Sequence, residues 1–242
     1  MEACRIPLPP TLGLQSVRQL REQLEAAQQA QGPRVILLEG SAEAFCRGLD
    51  ASELLSAPDP DDRAAAIRGF VGCLRLLRMG KKATLAAVDG PAMGGGVGLL
   101  AACDVVLAST RATFALPELL FGLVPAMVLP VVLERMAPQK ARLWSLTAHA
   151  RSSAEALTAG LVDEVVTPER LERAAKRWVR QLGRGQPEAV ATLHDFSARV
   201  RSLPIDQALA AGGEVTQAAT ADPAVQRALA GFRSGVSSWE ED

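Results

Sequence analysis

Apolar residues recur at helical spacing through Leu14, Val17, Leu20, Leu24 and Ala27, with Arg18, Arg21, Glu22 and Glu25 on the other face. This predicts an amphipathic helix over residues 15–31, stopped by Gly32-Pro33. Residues 3–8 (ACRIPL) predict a short edge strand limited by Pro7. Residues 34–39 (RVILLE) form an apolar, β-branched run bounded by Gly40, the pattern of a buried strand. The alternation continues. A helix is expected to begin near Asp50 or Ser52, a proline–aspartate linker to cover residues 57–62, and a helix capped by Asp62 to run over 62–80 through Ile67, Phe70, Val71, Leu74 and Leu77. Strands follow at 84–88, 105–109 and 112–115, with a glycine-led helix between the first two. Helices are expected at 128–136, at 139–146 behind Pro138, and from Ser152 or Ser153 to Ala159 before Gly160, followed by a strand at 161–166. Beyond Pro168 the pattern is helical only, over 168–183, 187–202, 205–219 and 223–235. Strands alternating with helices and then helices alone imply an α/β fold of βαβ units closed by a helical C-terminal region.

Composition narrows the partners. Across 242 residues, 48% are hydrophobic, which is ample for one layered core, and 26 basic residues nearly balance 27 acidic ones. With no basic patch interleaved with aromatics, nucleic acid is not an expected partner. Cys4, Cys46, Cys73 and Cys103 are scattered without a CxxC pair, so neither a zinc site nor a disulfide framework is indicated. No secretory leader is visible in MEACRIPLPP, and the longest apolar run is shorter than the roughly 20 residues a membrane span needs. The expectation is a soluble cytoplasmic protein with no membrane contact.

Residues 84–118, TLAAVDGPAMGGGVGLLAACDVVLASTRATFALPE, organise the chain and read as strand, turn, three glycines opening a helix, second strand, and a loop with one carboxylate. Gly94, Gly95 and Gly96 in succession suit positive φ or a close approach of main chain. At a helix start their N–H groups also suit an anion or a developing oxyanion. From the glycines alone, tight helix-on-sheet packing is an equal explanation.

A strand followed by AFCRGLD, then LAAVDGPAMGGG, CDVVLAST, TFALPE, LFGLVPA and LTAHARSSAEALTAGLVDEVV, in this order and spacing over about residues 34–166, resembles the crotonase superfamily of enoyl-CoA hydratases and isomerases. The resemblance implies a crotonase-like spiral of ββα units over residues 1–166, with a shortened N-terminal hairpin. Residues 167–242 would form a helical region for oligomerisation and active-site cover, in a homotrimer or hexamer. It also implies an acyl-thioester substrate and an enolate held by two backbone N–H groups, at Arg47 and Gly95. Ala44, Phe45, Cys46, Gly48 and Leu49 would line the ligand, with Gly94, Gly98, Leu116, Phe121, Val124 and Pro125. No cofactor or metal is implied beyond the substrate's own CoA or phosphopantetheine.

Two glutamates act in the hydratases of this family. The first position falls on Gly98, and the second, twenty residues on, is Glu118. One carboxylate can still take a proton from C2 and return it at C4, so the first reading is a Δ3/Δ2 enoyl-thioester isomerase with Glu118 as acid and base, its pKa raised by Leu116, Leu119, Leu120 and Phe121. Ala126 and Met127 would leave little room for a nucleophilic water. The alternatives are a hydratase, dehydratase or decarboxylase in polyketide biosynthesis, with an acyl carrier protein bearing the thioester, and a binding subunit with reduced catalysis. His149 and His194 read as structural or surface residues. Lys81, Lys82, Lys140, Arg142 and Arg151 are candidate phosphate contacts, against the ordinary reading of scattered surface cations.

Overall fold

The computed structural model describes residues 2–56 and 59–233. Most predicted elements are present. The chain begins with β1 (Ala3–Pro7), α1 (Leu14–Gln29) and β2 (Val35–Glu39), followed by α2 (Ala51–Ser56), α3 (Pro60–Met79) and β3 (Ala83–Val88). Then come β4 (Ala92–Met93), α4 (Gly95–Ala101), β5 (Val105–Ser109), β6 (Thr113–Ala115) and a 3-10 turn over Glu118–Phe121. Next are α5 (Leu129–Arg135), α6 (Pro138–Thr147), β7 (Arg151–Ser152), α7 (Ser153–Ala159), β8 (Glu164–Val166), α8 (Pro168–Leu182) and α9 (Pro187–Val200). Asp59, not Asp62, caps α3: its side chain accepts from the Asp61 N–H, and Pro60 takes the first helical position. The two-residue strands β4 and β7 are too short for a periodicity to announce.

β1, β2, β3, β5 and β8 form one parallel sheet in that order. A second layer pairs β4 with β6 and β6 with β7. It is extended by single bridges from Cys46 to Ala92 and from Leu12 to Leu49. Each pass of the chain therefore gives one strand to the large sheet, one extended segment to the small layer and then a helix, which is the expected spiral of ββα units. β1 with Leu12 supplies a complete first pass despite the short N-terminal segment.

Side chains alternate across the large sheet. Ile36, Leu38, Ala86, Val88, Val106 and Ala108 enter the main core with α1, α3 and α4, while Val35, Leu37, Leu85, Ala87, Val105 and Leu107 face Ala174, Ala175 and Val179 of α8. Both faces are thus covered, which explains the near-continuous apolar strands. This corrects the boundary at residue 166, because α8 is part of the core. The compact units are Met1–Ala191 and Thr192–Asp242. Within the second, α10 (Ile205–Ala221) sets Gly212 against Phe196, and α11 (Pro223–Arg233) follows. The last two residues of the helix expected to reach 235 lie outside the described residues, as do two of the linker expected at 57–62.

One cation holds the end of α4 in place. Arg135 donates to the carbonyls of Ala101 (3.2 Å), Cys103 (2.6 Å) and Asp104 (2.8 Å), and to the Asp163 carboxylate (3.0 Å). Asp163 in turn accepts from the Val106 N–H at 2.7 Å. Arg135→Ala is expected to lower unfolding stability by roughly 2–3 kcal/mol, because charged hydrogen bonds to three carbonyls and a carboxylate are lost. Urea denaturation beside Arg21→Ala, which removes an exposed pair with Glu25 and should cost less than about 1 kcal/mol, checks this.

Candidate active site

The bridge partners of Leu12 fix the 46–50 segment. Leu12 N–H donates to Gly48 O at 2.8 Å and Asp50 N–H to Leu12 O at 2.9 Å. In extended chain, consecutive residues direct their hydrogen-bonding groups to opposite sides, so the N–H of Leu49 points away from Leu12. It has no acceptor among the described residues. On the neighbouring side Met93 N–H donates to Cys46 O at 3.0 Å, which places α4 beside the segment.

Contact between the two is main chain to main chain. Gly48 has φ +84°, and a Cβ there would lie 2.6 Å from Gly95 N. A Cβ on Gly96 would lie 1.9 Å from Cys46 O. Gly95 is the first residue of α4, so its N–H has no acceptor within the helix. The unengaged N–H groups of Leu49 and Gly95 therefore flank the Gly48–Gly95 contact, and both residues are half-buried.

The N–H of Arg47, expected to be an open donor, is not open. Its N–H is held by Pro10 O at 2.7 Å, and its exposed guanidinium donates to Glu43 O at 3.1 Å. The open N–H lies two residues on, at Leu49, which sequence reasoning assigned only to ligand lining. The signal available was Gly48, since a glycine at positive φ reverses which main-chain groups face outward.

Glu118 reaches this place through β6. Gly94 N–H donates to Ala115 O at 2.9 Å, and three residues later Glu118 Oε1 lies 3.1 Å from where a Cβ of Gly94 would be. Its Oε2 is buried without a hydrogen-bond partner. Burial pushes the Glu118 carboxyl above its ordinary value of 4.5, opposed only by a hydrogen bond from its own backbone. The expected direction is thus found, but not the expected enclosure. Leu116 is buried, whereas Leu119, Leu120 and Phe121 are exposed, as is Val124. Pro125, Ala44, Phe45 and Cys46 are buried. The Cys46 thiol accepts from Gly48 N–H at 3.4 Å and is pushed up to about 11 by burial, so it is a neutral structural group.

The other candidates fall elsewhere. His149 is exposed and His194 buried, in keeping with structural and surface roles. Lys82 is buried with its ammonium on Ala30 O at 2.7 Å, and Arg151 bonds Glu155 and Thr147, so neither cation is open to a phosphate. Lys81, Lys140 and Arg142 are exposed. A cavity of about 300 Å³ between α6 and α7, lined by Lys140, Trp144 and Arg151, shares no residue with the Leu49–Gly95–Glu118 group. Among the described residues no cluster of three or more His, Cys, Asp or Glu side chains could hold a metal ion, and no helix is long and apolar enough to cross a membrane.

Because folding raises the Glu118 pKa, its contribution to stability is complete below pH 4.5 and is lost as pH rises through the folded-state value. Glu118→Gln is therefore expected to melt at a higher temperature than the parent at pH 7–8, with the difference vanishing below about pH 4.5. Melting curves across that range check the sign.

Comparison with known proteins agrees with this arrangement. The model of the family described as enoyl-CoA hydratase/isomerase matches residues 9–241. The chain is 33% identical over 181 residues to a carnitinyl-CoA dehydratase of Salmonella arizonae, covering 72% of this chain and 67% of the relative. It is 37% identical over 130 residues to the bacillaene synthase dehydratase PksH of Bacillus subtilis, covering 53% and 50%. Among solved structures, Pseudomonas aeruginosa AtuE is similar with a TM-score of 0.85 at 28% identity, covering 94% of this chain and 92% of that one. Human enoyl coenzyme A hydratase domain-containing protein 3 shares the fold, with a TM-score of 0.87 at 22% identity and coverage of 96% and 93%. With its spiral, its paired glycine segments and its single carboxylate, the chain belongs to the enoyl-CoA hydratase/isomerase family of crotonase-fold enzymes.

Proposed function

We propose that the protein dehydrates a 3-hydroxyacyl thioester, with Glu118 as the single acid and base and the N–H groups of Leu49 and Gly95 as the oxyanion hole. The observation that carries this reading is the half-buried Glu118 carboxylate, with one oxygen unpartnered, beside the glycines that open α4. The names of two relatives, both dehydratases, favour elimination over the double-bond shift that the sequence put first.

The thioester oxygen lies between the two N–H groups, and the ionised Glu118 takes a proton from C2. The C–H electron pair moves onto the thioester oxygen as an enolate. When the enolate collapses, C2=C3 forms, the C3–O bond breaks, and the departing hydroxyl takes the proton from Glu118 and leaves as water. Glu118 is returned as the carboxylate. Each aligned donor of this kind contributes about 2.7–4 kcal/mol to the barrier reduction, and the raised pKa of Glu118 brings its proton affinity nearer that of the enolate.

Isomerisation uses the same enolate with the proton returned at C4, so it is the second reading. Whether the thioester is carried by CoA or by an acyl carrier protein extends the same proposal, as does a trimeric or hexameric assembly. The exposed run Leu120, Phe121, Leu123 and Val124 is the kind of apolar surface that a subunit contact covers.

Incubation with 3-hydroxyacyl thioesters of CoA and of an acyl carrier protein, followed by mass analysis, separates the readings. The expected product has lost one water, and Glu118→Gln should lower the rate by about 10²–10⁴-fold. Conversion of a 3-enoyl thioester without mass change, and no water loss from the hydroxyacyl compound, would instead establish isomerisation. Binding without turnover of any thioester would leave a binding subunit.

A further inference from the structure

Gly98 lies one turn on from Gly94, the N-cap of α4, whose carbonyl accepts from the Gly98 N–H at 3.1 Å; a helical Cβ tilts toward the helix N-terminus, so a side chain at 98 would be directed back toward Gly94. Glu118 stands over Gly94. One turn along, the space over Gly98 belongs to Val128. A Cβ on Gly98 would lie 2.4 Å from Val128 Cγ1, 2.9 Å from Val128 Cβ and 3.6 Å from Leu74 Cδ2. Rotation about χ1 moves a valine's Cγ atoms but leaves its Cβ where the backbone puts it. That backbone is pinned, since Val128 N–H donates to Pro125 O at 3.2 Å and Val128 O accepts from Val132 N–H at 3.0 Å.

Val128 and Leu74 are both buried in the main core. The wall over Gly98 is therefore apolar: among the described residues the atoms nearest a side chain there belong to Val128 and Leu74. Ala126 and Met127, which the sequence suggested as the residues limiting water, do not fill this position; Ala126 is exposed and Met127 half-buried.

We propose that Val128 is a specificity-determining residue: it keeps position 98 without a side chain and excludes a second carboxylate from the centre, so that every proton passes through Glu118. This rests on the reading of Glu118 as the acid and base. The packing half of the claim is independent of it. Position 98 cannot acquire an acid by a single substitution; position 128 must shrink first. Val128 precedes α5 as its N-cap, where glycine is tolerated, so Val128→Gly is the suitable partner change.

The experiment compares Gly98→Glu, Val128→Gly and the double variant by melting temperature and by hydration of a short 2-enoyl-CoA. Gly98→Glu alone is expected to melt well below the parent, and the same change in the Val128→Gly background to cost much less. The double variant should hydrate the enoyl thioester at least about ten-fold faster than Val128→Gly, because a second acid then shares the proton transfers. Equal melting losses from Gly98→Glu in both backgrounds would overturn the exclusion. A folded double variant no faster than Val128→Gly would overturn the role in specificity. Undiminished activity in Glu118→Gln would instead remove the underlying reading while leaving the melting comparison intact.

Discussion

The centre depends on main chain meeting main chain without a side chain between. Residues 46–48 lie against Gly95 and Gly96 so closely that a Cβ on Gly96 would be 1.9 Å from Cys46 O. Only this approach brings the open N–H of Leu49 beside that of Gly95, and in the proposed reaction backbone donors fixed by two packed segments would need no reorganisation as charge develops. The conformational entropy that three glycines cost is the counterpart of that preorganisation.

The rest of the fold holds those two segments still. The large sheet is covered on both faces, and β4 of the small layer and β5 of the large sheet flank α4 in the chain, so α4 is anchored through both of its connections. Arg135 binds the carbonyls at the far end of the helix, while Phe70 of α3 fills the space beside Gly95, its Cζ 3.0 Å from where a Cβ would be. Glu118 is carried into place by the register of β4 with β6. A carboxylate delivered by a paired strand can be half-buried and short of partners without unfolding its surroundings, and that environment raises its pKa.

Much of this was legible in the residues. Periodicity located the helices because each has one apolar face, and the strands because a doubly covered sheet requires unbroken apolar runs. The motifs singled out Gly95 and Glu118 as candidates. What escaped were features set by hydrogen-bond direction and by three-dimensional filling of space. Arg47 and Leu49 differ in which way their N–H points, and that follows from a bridge to Leu12, thirty-seven residues earlier in the chain. Val128 is thirty residues from Gly98, and nothing in the spacing of either announces their contact. The place of α8 in the core was likewise hidden, because an amphipathic helix reads the same whether it covers a sheet or closes a separate unit.

The most direct measurement isolates the first chemical step from any leaving group. A saturated acyl thioester in deuterated water can exchange its C2 protons only through the enolate. The expected result is exchange catalysed by the parent protein and abolished in Glu118→Gln, with binding of the thioester retained. Exchange that persists in Glu118→Gln, or a parent protein that binds the thioester and exchanges nothing, would contradict an enolate formed by Glu118 at the Leu49–Gly95 donor pair.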